Sequence, residues 1–143
     1  MTNTELKYFV ALQPELLKRK GAWRVGDGAY CGDCSGVIVQ IKAEEGFIYT
    51  RYEDNFLASD SIVFANTHFI WLPCFIDYDQ PERGLWKMLL AYRKSLHQGE
   101  VMNNHYISVV WRSDGSGEKY FGATPTEAVL RALAVQWNIE VIK

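Results

Sequence analysis

From His68 to Leu90 the chain reads H-F-I-W-L-P-C-F-I-D-Y-D-Q-P-E-R-G-L-W-K-M-L-L, and no single helix or strand can run through it. Pro73 has no amide hydrogen, so it ends the apolar run 69–72, which reads as a strand. Pro81 suits the first position of a new helix, where the missing donor would be unsatisfied anyway. Asp79 or Gln80 stands before it as a cap, and Glu82 follows in the first turn, where negative charge is favoured. The stretch therefore predicts a junction. A strand-rich part covers 22–72, a connection covers 73–80, and a helix-and-strand part covers 79–143.

A length of 143 residues suits one domain, or two small lobes sharing a core. Hydrophobic residues make up 48% and aromatic residues 14%, which is enough for a packed interior, while only 22% are charged, which argues against disorder. The formal net charge of −2 provides no general attraction to nucleic acid. No apolar run approaches the roughly 20 residues of a membrane-spanning helix. The opening M-T-N-T-E-L-K lacks the basic start and apolar core of a signal peptide, so a cytoplasmic protein is expected. Three cysteines, an odd number, then point to free thiols or a metal site rather than disulfides.

Taken in order, residues 4–20 read as a helix capped by Thr4, with a break or restart at Pro14, whose ring removes an interior donor. Gly21 ends it, and Lys18, Arg19 and Lys20 lie at its C-terminal end, where cations suit the helix dipole. Residues 23–25 lead into the turn Gly26-Asp27-Gly28. Strands are expected at 29–31, 37–42 and 47–52, because Val37, Val39 and Ile41 alternate with Ile38, Gln40 and Lys42. Glu53-Asp54-Asn55 and Ser59-Asp60-Ser61 are polar and turn-prone, and 62–65 fit either a short strand or a helical turn. The helix opened by Pro81 is expected to continue to Gly99, with Leu85, Trp86, Leu89, Leu90 and Leu96 on one stripe. Residues 106–112 and 118–121 read as a hairpin around 113–117. Thr124-Pro125-Thr126-Glu127 is a capping box, followed by a helix to about Trp137 with Val129, Leu130, Leu133 and Ala134 buried. Residues 139–142 form a short apolar tail suited to an edge strand. The pattern predicts an α+β fold: a small antiparallel sheet or partial barrel, followed by a helix–β-hairpin–helix unit.

The segments G-D-G-A-Y-C, F-I-W-L-P and D-Q-P-E-R-G-L-W-K-M-L together resemble a pattern in small uncharacterised bacteriophage and prophage proteins. Those proteins carry a Gly-Asp turn, a Trp-Leu-Pro element and then an amphipathic helix. The closing A-T-P-T-E-A-V-L-R-A-L-A is similar to the last helix of small phage sandwich-type domains, matched here by Pro125, Glu127, Ala128, Leu130, Ala132 and Leu133. The resemblance implies a phage or prophage origin, hence the cytoplasm of a host bacterium, and an α+β fold. It implies no catalytic residues.

Four groups of residues invite a functional reading. Cys31-Gly32-Asp33-Cys34 places two thiols at a spacing that can grip Zn²⁺ from a tight turn, with Gly32 and Gly36 easing the backbone. A closed zinc site needs four ligands, and Cys74, His68, His97 and His105 are the scattered remaining donors. A redox pair usually opens a helix, whereas a strand follows here. The plainer reading is a hairpin turn that carries two thiols. Among the carboxylates Asp27, Asp33, Asp54, Asp60, Asp77 and Asp79, the pair Asp77 and Asp79 flanks Tyr78 and would share a face in an extended segment. With His68 nearby it could bind a cation or exchange protons, though helix capping explains it more simply. Tyr49, Arg51 and Tyr52, with Tyr30, form a run of residue types that favour protein interfaces. Trp23, Trp71, Trp86, Trp111 and Trp137 mostly fit buried stripes.

No nucleophile elbow, zinc-protease, phosphate-loop or dinucleotide motif is present. The expectation is therefore a non-enzymatic protein that binds a macromolecular partner, with a protein more suitable than nucleic acid or membrane. The alternatives are a metal-binding module built on Cys31 and Cys34, and a small hydrolase using Asp77 and Asp79. No cofactor is expected beyond the zinc reading.

Overall fold

A computed structural model describes residues 1–89, 92, 94–98, 106–111 and 117–141, with 94–98 and 106–111 described by their backbone alone. The fold is α+β, as the element pattern predicts. The chain divides into two compact units, one covering Leu16–Pro73 and the other combining Met1–Glu15 with Cys74–Lys143.

The first helix, α1 (Asn3–Lys20), contributes to both units. It is unbroken, which corrects the expected restart at Pro14. The Gln13 side-chain amide donates to the Phe9 carbonyl at 3.0 Å, in the turn that precedes the proline. Leu12 and Leu16 on either side are fully buried and hold the flanking turns in place. The cap also differs by two residues from the expected Thr4, because Glu5 N–H donates to Thr2 Oγ1 at 3.1 Å.

In the Leu16–Pro73 unit, β1 (Gly28–Cys31), β2 (Cys34–Lys42), β3 (Phe47–Tyr52) and β4 (Leu57–Ser61) form an antiparallel meander. After α2 (Ile62–His68), β5 (Ile70–Leu72) returns to pair with β1, giving the order β4-β3-β2-β1-β5. Cross-strand partners share a face. The register therefore places Trp71, Ala29, Ile38, Ile48 and Thr50 on one side, and all five are buried there. Leu16, Trp23, Ala65 and Phe69 complete this unit's core. A register shift between Ile38 and Gln40 marks a β-bulge, which increases local twist and bends the sheet. Residues 23–25 stop short of a strand. Instead, Asp27 Oδ2 accepts the Arg24 amide at 2.9 Å and its backbone bonds Ile38.

The second unit corrects the expected long helix at 81–99. A 3-10 turn (Pro81–Arg83) leads through an extended Gly84 to the short α3 (Leu85–Leu89). The Leu85 and Trp86 amides bond back to the carbonyls of Cys74 and Phe75, so α3 is a new start. Lys94–Gln98 is a strand, β6, paired to β7 (Tyr106–Trp111), which pairs to β8 (Gly117–Gly122). Leu96 thus belongs to a sheet, while Leu90 and the turn 112–116 lie outside the described residues. The last helix, α4 (Pro125–Gln136), packs on β7, β8 and α3. Its capping box is formed: Thr124 Oγ1 accepts from the Glu127 amide at 3.1 Å, and Glu127 Oε2 reaches back to the Ala123 amide at 3.1 Å. Asn138 ends the helix in the left-handed region (φ 54°), and the Ile139 amide closes on Ala134 O. The tail residues 139–141 form no strand, and Ile142 lies outside the described residues.

Candidate functional site

The Leu16–Pro73 sheet presents two chemically different faces. On the side away from its core, the register aligns Val37, Arg51 and Leu57 in one row across β2, β3 and β4. Phe47 and Tyr49 follow along β3, and Gln40 and Lys42 lie opposite them on β2. Val37, Phe47 and Leu57 are 47%, 42% and 53% exposed, and Phe56 in the adjoining turn is 62% exposed. Lys42 lies over the Tyr49 ring at 5.4 Å. The Arg51 side chain makes no hydrogen bond or ion pair among the described residues, so its guanidinium is available. The strand positions on this face include Lys42 and Arg51 and no carboxylate, because the single acidic strand residue here, Asp60, pairs with Ile48 on the core side. A cleft of about 510 Å³ crosses this region, lined in part by Val37, Arg51 and Asn55, with the Glu53 carboxylate at the end of β3 also in its wall.

The expected Tyr/Arg surface is therefore split. Tyr49 and Arg51 share the outer face, and Tyr30, paired to Ser35, lies on the same side but half-buried. Tyr52 pairs with Gly36 and turns to the opposite side with Thr50. The physical reason is the two-residue period of a strand: Arg51 and Tyr52 are adjacent in sequence, so they cannot point the same way.

On the Tyr52 side lie the two thiols. Cys31 and Cys34 are partners across the two-residue turn Gly32-Asp33, whose first residue adopts φ +64°, a conformation that glycine reaches without steric cost. Cys31 is half-buried and Cys34 exposed. Burial pushes the Cys31 thiol up, the Asp60 carboxylate adds to this, and the Gly32 amide works against it. Burial likewise drives Tyr52 up to about 12, with further contributions from Cys31, Asp60 and Cys34. The neutral phenol is thus favoured in the fold. An unfolded tyrosine ionises near pH ~10, so the Tyr52 contribution to stability is complete below that pH and falls as pH rises toward 12. In an alkaline titration read by tyrosinate absorbance, one phenol should lag the others, and Tyr52→Phe should remove it and flatten the alkaline loss of stability. Uniform titration of all eight tyrosines would contradict this.

The other sequence candidates serve local structure. Asp77 Oδ1 accepts the amides of Asp79 and Gln80 at 3.1 and 2.8 Å, which is a turn-capping role. His68 stacks on Phe64 at 4.3 Å between ring centroids and shares a hydrogen bond with Thr67. Cys74 is exposed, and its carbonyl receives the Leu85 amide. His97 is described by its backbone in β6, and His105 lies outside the described residues. Among the described residues, no three or more His, Cys, Asp or Glu side chains gather around one point. Trp23 and Trp71 are buried as expected, Trp86 and Trp137 are half-buried, and the Trp111 side chain lies outside the described residues.

In the second unit, a polar network escaped the sequence reading. Glu5 accepts from Thr124 Oγ at 2.8 Å, while Glu127 accepts from Arg131, whose Nη1 also donates to the Tyr8 hydroxyl at 3.1 Å. Both carboxylates are buried, and through these bonds the network ties α1 to α4. A cleft of about 640 Å³ adjoins it, lined by Tyr8, Tyr120, Phe121 and Arg131 among others. The one available signal was the spacing Glu127–Arg131, four residues apart on a helix. Phe47 and Leu57 were also missed as surface residues, since apolar strand residues are normally assigned to the interior. No helix among the described residues is long and apolar enough to cross a membrane. In comparison with known proteins, the chain matches no family model and no curated protein.

Proposed function

We propose that this chain is a small accessory protein of phage or prophage type that acts in the bacterial cytoplasm by non-catalytic binding of a protein partner. The surface used is the outer face of β2–β4. One observation carries the reading: Val37, Phe47 and Leu57 lie exposed around Tyr49 and an unengaged Arg51. Exposed apolar patches rimmed by polar groups mark interaction sites, and Tyr, Phe and Arg are the residue types enriched at them. With cations and no carboxylates on its strands, the face suits a partner that presents an acidic, partly apolar surface. Two cations on a chain of net charge −2 are few for a phosphate backbone, which favours protein over nucleic acid. The sequence resemblance to phage and prophage proteins supports the accessory role.

The test is affinity capture from bacterial lysate with the intact chain, beside a Tyr49→Ala/Arg51→Glu variant. A protein retained in stoichiometric amount by the first, and reduced about tenfold or more by the variant at unchanged thermal stability, is the expected result. Equal capture by both chains would refute the assigned face, and retention of nucleic acid in place of protein would refute the partner class.

A further inference from the structure

We propose that Cys31 and Cys34 form a two-coordinate site for a soft monovalent cation of the copper(I) type. The site lies on the face opposite the proposed partner surface and stands independently of it.

The geometry begins with the register. Cys31 and Cys34 are directly opposite across a two-residue turn, so both side chains leave the same face of the hairpin. Residues so paired hold their Cβ atoms roughly 4.5–5.5 Å apart, whereas a disulfide draws them to about 3.8 Å. An ion between the sulfurs separates them by two metal–sulfur bonds, which suits the wider spacing. Cys34 is exposed, so an ion has a path in. The two-residue turn fixes the backbone at both cysteines before binding.

The surroundings then choose among metals. A closed zinc site requires four ligands in a tetrahedron. The Leu16–Pro73 unit is described throughout, and no third His, Cys, Asp or Glu joins the pair there. Its one histidine, His68, is stacked on Phe64 and bonded to Thr67. Copper(I) is selected by thiolates and is satisfied by two of them. Binding one Cu⁺ displaces one proton from each thiol and leaves a bis-thiolate complex of charge −1. No electron is transferred.

The experiment is an anaerobic titration of the reduced, full-length chain with copper(I) against a chromophoric copper(I) chelator. One equivalent should bind to the parent chain and equally to Cys74→Ser. Affinity should fall at least about 100-fold in Cys31→Ser and in Cys34→Ser. The exposed Cys34 keeps the test available if substitution at Cys31 perturbs folding. Uptake that survives either cysteine substitution overturns the proposal. So does a tetrahedral cobalt(II) spectrum or a tightly held equivalent of zinc, since each requires further ligands.

Discussion

Replacing Gly122 with alanine is expected to lower the free energy of unfolding by about 3 kcal/mol. An added Cβ would lie 2.5 Å from the Ala128 amide nitrogen, 2.8 Å from Glu127 Cβ and 3.0 Å from the Glu127 carbonyl carbon. These neighbours belong to the first turn of α4 and cannot swing aside as a flexible side chain would. The strand β8 and the helix must separate, and the interior they share loosens with them. Val129, Leu130 and Leu133 of α4 are all fully buried. The shift would also strain the Glu127 bond to the Ala123 amide, one residue from the substitution. Urea denaturation measures the loss, and amide exchange should accelerate in α4 and β8 first. A change smaller than about 0.5 kcal/mol would show that helix and strand have room to spare.

Trp71→Ala should cost about 3–5 kcal/mol, the range for truncating a large buried aromatic. Trp71 is 2% exposed and stands at the centre of β5, a strand of only three residues. Such a short edge strand has few ladder bonds, so its attachment to β1 depends heavily on this anchor. The truncation would leave a cavity opposite Ala29 in the buried face of the sheet. Trp71→Phe keeps part of the volume and should lose roughly half as much. Denaturant midpoints of both variants beside the parent chain decide the matter. A cost below about 1.5 kcal/mol for Trp71→Ala would mean that β5 is held mainly by other contacts.

Where the signal was local, the sequence was readable. Thr124 and Glu127 lie three residues apart, and their capping bonds depend on nothing beyond that turn. The strand at Phe47–Tyr52 and the stop at Pro73 follow likewise from alternation and a missing donor. Where a distant partner intervened, the reading failed. Lys94–Gln98 has a helix-compatible sequence, yet pairing with Tyr106–Val110 makes it a strand. Ser59-Asp60-Ser61 is polar and turn-prone, and only pairing with β3 draws it, with Leu57 and Ala58, into the sheet. Pro14 carried a strong local signal for a break, which buried Leu12 and Leu16 on either side outweighed.

The candidate sites divide in the same way. The Cys-x-x-Cys spacing was plain in the sequence, but that both thiols face one way across a closed turn required the register of β1 with β2. Strand alternation alone separated Arg51 from Tyr52, whereas which of them faced solvent depended on where the core formed. Sequence by itself determined the α+β class, the cap of the last helix, most strand positions and the reactive side chains available. Tertiary structure decided which apolar residues were left exposed and which charges were kept together. Secondary-structure signals act over a few residues, while burial depends on what packs against a face, and that is supplied by segments far away in the chain.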